Sequence, residues 1–236
     1  MARKPRDCRA VVTALRALHP DILEADLALQ DPPRLEFDAG QWVSVPLGGK
    51  IVRAYSIASP PARASSITLC ADVAPGGPGS RWFRGLAPGT EVRFSGPLGG
   101  FVFAHDDPRR ALFVAEEIGI VPIRTILGDL RARGIARPMG LVFWGRDPGW
   151  LPYDREFRAL AQTDPAFSYH PVAQEAEPAW PGVRGGLAEV VEAVASRVEE
   201  QVVYVAGGAA TIHRVREILM ARGRDRKSVK WEKFYG

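Results

Sequence analysis

Three short stretches carry residue types whose spacing could do chemistry. The first is RAYS, residues 53–56. In an extended strand, residues two apart share a face, so Arg53 and Tyr55 project together. That sets a guanidinium suited to phosphate beside an aromatic plane suited to stacking. Ser56 follows with a hydroxyl able to donate to a ring nitrogen. Taken alone, RAYS fits equally a surface arginine beside a half-buried tyrosine. The second stretch is GGPGS, residues 76–80, a loop entering a helix. Its backbone N–H groups, around Gly77 and Gly79, and the Ser80 hydroxyl can hold a phosphate. The third is VAEEIGIVP, residues 114–122, where an apolar run meets a turn framed by Gly119 and Pro122.

Strand, turn and helix in that order usually cradle a phosphate, with glycines that let the backbone approach. Here Glu116 and Glu117 occupy the turn. A carboxylate at a helix N-terminus gains about 0.3–1 kcal/mol and takes that stabilisation for itself. Two unit charges ~4 Å apart at an effective dielectric of about 20 repel by roughly 4 kcal/mol. An ionised Glu117 beside a pyrophosphate would therefore weaken nucleotide binding by orders of magnitude. The other reading has both glutamates capping the helix and pointing to solvent.

The elements that must position these residues fall into two halves. The first hundred residues alternate at period two and are broken by turn signals. CRAVVTALRAL, DILEADLAL, WVSVPL, IVRAYSIA, SITLCADV and EVRFS read as six strands, and one helix is predicted over residues 80–86. Six short strands without long helices predict a small antiparallel β-barrel. After residue 106 the period changes. ALFVA, MGLVFW, AFSYHPV and QVVYVA read as buried strands separated by four amphipathic helical stretches. Strands alternating with helices predict a parallel, doubly wound sheet. The DDPRR stretch divides the chain into a barrel domain, 1–106, and an α/β domain, 107–236.

Bulk properties narrow the class. The 236 residues are 46% hydrophobic, enough for two proper cores. No apolar run approaches the ~20 residues that cross a bilayer. The start, MARKPRDCRAVV, lacks the apolar segment of a signal peptide, and two cysteines make no disulfide framework or iron–sulfur site. A cytoplasmic setting is expected. The net charge of +4 is concentrated after residue 213, without the aromatic interleaving or module of a nucleic-acid binder. It fits a solvated helix face, or docking of an acidic partner or anionic cofactor. The four histidines have no metal spacing, and no nucleophile–base pair suggests hydrolysis.

RAYS, GGPGS, GPLGGF (96–101), EEIGIVP, PAWPGVRG (178–185), YVAGGAATIHRVREIL and the ending WEKFYG occur in an order that resembles the ferredoxin–NADP reductase superfamily. The resemblance covers nearly the whole chain. It implies an N-terminal barrel that binds FAD, favoured over FMN because two phosphate-binding elements are present, and a C-terminal domain for NADH or NADPH. It assigns Tyr55 to packing on the isoalloxazine, Ser56 and Ile57 to the flavin edge near N5, and Arg53 and Ser80 to the diphosphate. Gly119, Pro122 and Gly207 fall on the pyridine-nucleotide loops. Glu232 falls on a proton-transfer position, and Phe234 with Tyr235 on the aromatic that covers the flavin.

Two motifs and the ending depart from the family's pattern, with Ile118 where the loop carries a hydroxyl residue and Tyr235-Gly236 running past the usual endpoint. Its G-G-T-G-I-x-P loop is EEIGIVP here, and its C-G-P-P is Ala206-Gly207-Gly208-Ala209. The stretch VAQE, residues 172–175, lacks the arginine that NADP-specific relatives carry, so NADH is preferred over NADPH, with Arg146 or the basic tail as possible substitutes. The resemblance implies a flavin oxidoreductase moving electrons between NAD(P)H and a separate protein acceptor. An electron-transfer flavoprotein with a degenerate nucleotide site, or a flavin-binding regulatory module, is the alternative.

Overall fold

The computed structural model describes residues 4–135, 137–195, 200–223 and 228–234. The chain forms two compact units: Met1–Phe103 with Arg124–Arg133, and Ala104–Ile123 with Gly134–Gly236.

In the first unit, β1 (Arg6–His19), β2 (Ile22–Asp31), β3 (Trp42–Pro46), β4 (Val52–Ser56), β5 (Ser66–Asp72) and β6 (Glu91–Leu98) are all antiparallel. Their order is β4-β3-β6-β1-β2-β5, and an Ile57–Leu69 bridge links the two end strands into a closed barrel. The alternation in sequence is an alternation in space. Cys8, Ala10 and Val12 of β1 and Val43 and Val45 of β3 turn inward on a core with Leu27, Ile67, Leu69 and Phe94. Helix α1 spans Pro78–Arg84, two residues ahead of the predicted start. Pro78 explains the shift, because a proline at the first helical position loses an N–H that would be unpaired anyway.

In the second unit, β7 (Arg110–Glu116), β8 (Met139–Gly145), β9 (Phe167–Ala173), β10 (Val183–Arg184), β11 (Gln201–Gly207) and β12 (Val229–Lys233) are all parallel. Helix α2 (Ile120–Ala132), whose residues from Arg124 onward group with the first unit, follows β7, and helices α3 (Asp154–Thr163), α4 (Leu187–Val194) and α5 (Ala209–Ala221) lie between the later strands. Strands covered on both faces read as continuous apolar runs, and every residue of β11 is buried. Strands β10 and β12 were not anticipated. The first is two residues long, and the second alternates Val229 and Trp231 with Lys230, Glu232 and Lys233, which reads as a solvated tail. The basic stretch after residue 213 divides between α5, which buries Val215, Ile218 and Leu219, and this edge strand.

Sheet order in the second unit is β10-β9-β8-β7-β11-β12. The chain runs from β7 to one side and returns to β11 on the other, so the carboxyl ends of β7 and β11 flank a topological switch point. Ligands of open α/β sheets bind in the crevice outside such a point.

There the turn from β7 to α2 passes against the end of β11. A Cβ at Gly119 would stand 2.3 Å from the Ala206 carbonyl oxygen and 3.1 Å from Gly207 N. No side chain fits between two backbones at that distance. Gly119→Ala should therefore cost about 2 kcal/mol, within the range for overpacking a close contact. Urea unfolding followed by circular dichroism measures this, and an unshifted midpoint would show that the turn can move away.

Candidate functional site

In the barrel unit the structure brings Arg53, Tyr55 and Gly79 together. A Cβ at Gly79 would lie 3.1 Å from Tyr55 Oη and 3.2 Å from Arg53 Cγ, so both side chains do project to one face. The Tyr55 hydroxyl donates to the Gly79 carbonyl at 3.3 Å. Its ring packs on Trp82 and Phe83 of α1, with centroids 5.5 and 5.4 Å away. Burial pushes the Tyr55 phenol up to about 12, which keeps it a neutral donor at physiological pH. Arg53 is exposed, and its guanidinium donates to the Val52 carbonyl at 2.8 Å. Gly77 is the N-cap of α1, with open space where a Cβ would stand, and Ser80 is buried in the first turn. An aromatic plane, an exposed cation and bare glycine backbone are what a flavin nucleotide needs, so these residues fit the group.

Ser56 and Ile57 are buried at the end of β4. Their backbone is held from two sides: Ile57 N–H donates to the Gln41 carbonyl at 3.0 Å, and its carbonyl accepts from Thr125 Oγ1 at 2.9 Å. Arg124 donates to the next carbonyl, Ala58, at 3.2 Å. Neither Arg124 nor Thr125 was singled out in sequence. A threonine buried mid-helix, spending its hydroxyl 68 residues away, leaves no local signature.

In the α/β unit the two glutamates neither point to solvent nor stand as free charges. Glu117 is 4% exposed and sits at φ 45°, a left-handed conformation that favours glycine. Its carboxylate takes a fork from Arg146, with Nε and one terminal nitrogen each donating at 2.7 Å. The Arg146 guanidinium stacks on Trp150, 3.7 Å from the ring centroid. The expected repulsion from Glu117 is therefore answered internally by a bidentate pair.

Glu116 turns the other way. Its Oε2 accepts from Gly208 N–H at 2.5 Å, at the N-cap of α5. It caps a helix, though not the one it precedes. Gly207 ends β11 and accepts from Phe234 N–H at 2.8 Å, while Pro122 is buried in the first turn of α2.

Glu232 lies on β12 opposite Ala206. Its Oε2 is closed to solvent and has no hydrogen-bond partner among the described residues. Burial pushes this carboxyl up to about 8, so the site holds a proton at neutral pH. Tyr235 lies outside the described residues. Beyond the ends of β8 and β9, Asp147, Glu175, Glu177 and Trp180 line an open cavity of about 670 Å³. Among the described residues, no helix is long and apolar enough to cross a membrane.

Two outcomes follow. Arg146→Ala leaves the buried Glu117 carboxylate unpaired and should cost about 2 kcal/mol, within the range of about 1–3 for such a group. Arg146→Lys, which keeps charge but not the fork, should fall between. Equal denaturation midpoints for wild type and Arg146→Ala would refute this. For Glu232, the folded carboxyl titrates above its unfolded value of 4.5. The folded state thus binds the extra proton between about pH 4.5 and 8, and stability falls as pH rises through that window. Glu232→Gln should gain stability relative to wild type across it, as thermal melts at pH 5 and pH 8 would show. A constant difference would contradict the shift.

Residues 9–103 match the oxidoreductase FAD-binding domain family. The chain is 34% identical over 185 residues to ferredoxin–NADP reductase B of Sorangium cellulosum (strain So ce56), covering 77% of this chain and 75% of that one. It is 30% identical over 234 residues to the reductase component DmpP of phenol 2-monooxygenase from Pseudomonas sp. (strain CF600), covering 97% and 66%. It spans about half the length of other curated relatives it matches. The Amycolatopsis cytochrome P450 reductase GcoB superposes on 99% of the chain and 71% of its own, with TM-score 0.87 and 24% identity. With a closed six-stranded barrel, a parallel doubly wound sheet and this likeness, the chain belongs to the ferredoxin–NADP reductase-like family of FAD-dependent oxidoreductases.

Proposed function

We propose that the protein moves electrons between NAD(P)H and a separate acceptor protein through FAD. In this reading the barrel domain, 1–106, holds the flavin and the α/β domain, 107–236, receives the nucleotide. The convergence of Arg53, Tyr55 and Gly79 carries the proposal. Arg53, with Gly77, Gly79 and Ser80, would hold the diphosphate. Tyr55, Ser56 and Ile57 would orient the ring. When bound, FAD would supply the chemistry that accepts a hydride's two electrons and passes them on to an acceptor. Glu232 would hold the proton that accompanies that transfer, an assignment supported by its closed, solvent-poor carboxyl. Gly119, Pro122 and Gly207 would frame the nucleotide.

An oxygenase component or a ferredoxin is the acceptor class that the relatives' names suggest. NADH is favoured over NADPH. Asp147, Glu175 and Glu177 line the cavity beyond β8 and β9, where a 2′-phosphate would meet like charge, and Arg146 is occupied by Glu117. A reducing, cytoplasmic setting accords with two buried free thiols, Cys8 and Cys70. The Glu116–Gly208 bond favours a second reading, an electron-transfer flavoprotein that exchanges electrons only with proteins.

Anaerobic mixing of the FAD-loaded protein with NADH separates the two. Bleaching near 450 nm is expected, and its absence at millimolar nucleotide, with normal reduction by dithionite, would leave the second reading. Arg53→Ala should weaken FAD binding by about 10–100-fold, the equivalent of losing a charge-assisted contact. Retention of FAD at the wild-type affinity, measured by flavin fluorescence, would reject the assignment of Arg53.

A further inference from the structure

The two departures from the family's nucleotide motifs meet in one hydrogen bond. Glu116 ends β7 and Gly208 follows β11, so their bond spans the mouth of the topological switch point from one bank to the other. Each substitution makes sense only with its counterpart. The C-G-P-P pattern has a proline where Gly208 stands, and a proline has no N–H to donate. A Cβ at Gly207 would meet Glu116 Cβ and Oε2 at 2.7 Å each, and one at Gly208 would stand 3.2 Å from Oε2. The glycine pair therefore supplies both the donor and the room for the carboxylate. Glu117 contributes by holding the turn: its left-handed backbone and its fork with Arg146 fix the conformation that aims Glu116 across the crevice.

We infer that Glu116 acts as an internal anion that competes with a pyridine nucleotide, occupying the mouth of the switch point that the nucleotide must enter. The inference rests on the proposed use of NAD(P)H and refines it. Nucleotide binds only by displacing the Glu116 carboxylate from the Gly208 N–H, so apparent affinity is lowered by the strength of a charge-assisted bond. The flavin-binding residues are untouched. A chain regulated this way passes electrons at high nucleotide concentration and idles at low.

The test is anaerobic stopped-flow reduction of the full FAD-loaded chain by NADH, for wild type, Glu116→Ala, Gly208→Pro and the double variant. Gly208 already has φ −67°, so proline fits its backbone while removing the N–H. Glu116→Ala should lower the apparent Kd for NADH by about tenfold, equivalent to about 1.4 kcal/mol, and Gly208→Pro, which frees the carboxylate but keeps its charge, should lower it by less. The double variant should match Glu116→Ala, because once the carboxylate is gone there is nothing left for the Gly208 N–H to hold. Unchanged or weaker NADH affinity in folded, FAD-loaded Glu116→Ala, with wild type still bleached, would overturn the inference and leave the NAD(P)H reading standing. Additive gains in the double variant would also overturn it. Failure of NADH to bleach every form, with normal dithionite reduction, would overturn the NAD(P)H reading and the inference with it.

Discussion

The approach of the β7–α2 turn to the end of β11 is the constraint on which the α/β unit is organised. Gly119 brings two backbones so close that a methyl group would collide with the Ala206 carbonyl. That proximity sets the width of the switch-point crevice and places the first turn of α2 beside the N-terminus of α5. It also puts a carboxylate at Glu116 within reach of Gly208 N–H. In a wider crevice the same glutamate would be solvated, and its charge would matter only as a diffuse repulsion.

The two adjacent glutamates illustrate how burial and partners decide what a charge does. Both are acidic residues in an anion-binding turn, yet they have different tasks. Glu117 is buried and would be strongly destabilising alone, because a desolvated carboxylate without a partner loses its hydration for nothing. The forked Arg146, steadied by Trp150, turns it into a structural tie. Glu116 is only partly buried and is satisfied by one backbone N–H, a bond that a competing ligand can replace without leaving an orphaned charge in the core. The first holds the loop and the second guards it.

Much of the architecture was legible because it rests on periodicity. Alternation marked all six barrel strands, continuous apolar runs marked β7, β8 and β11, and a mixed segment marked β9. The shared face of Arg53 and Tyr55 followed from strand geometry and needed only Gly79 to become a cluster. What escaped was non-local. Strand β12 is one-sided and charged, so its pattern matched a tail until Ala206 paired with Glu232. The Glu117–Arg146 tie spans 29 residues and the Glu116–Gly208 bond 92, and nothing in either neighbourhood predicts the other. The sequence therefore overstated the repulsion at Glu117, which only a partner's position could cancel. It marked the 206–209 departure as a loss, whereas in space it complements the departure at 116.

Glu116 Oε2 lies 2.5 Å from Gly208 N, and everything proposed for this crevice turns on that distance. A crystal structure of the FAD-loaded protein soaked with NAD+ would read it directly. The carboxylate is expected to have left the amide, beyond hydrogen-bonding distance, with the nucleotide seated over the ends of β7 and β11. A nucleotide bound at the switch point with the Glu116–Gly208 bond intact would contradict it.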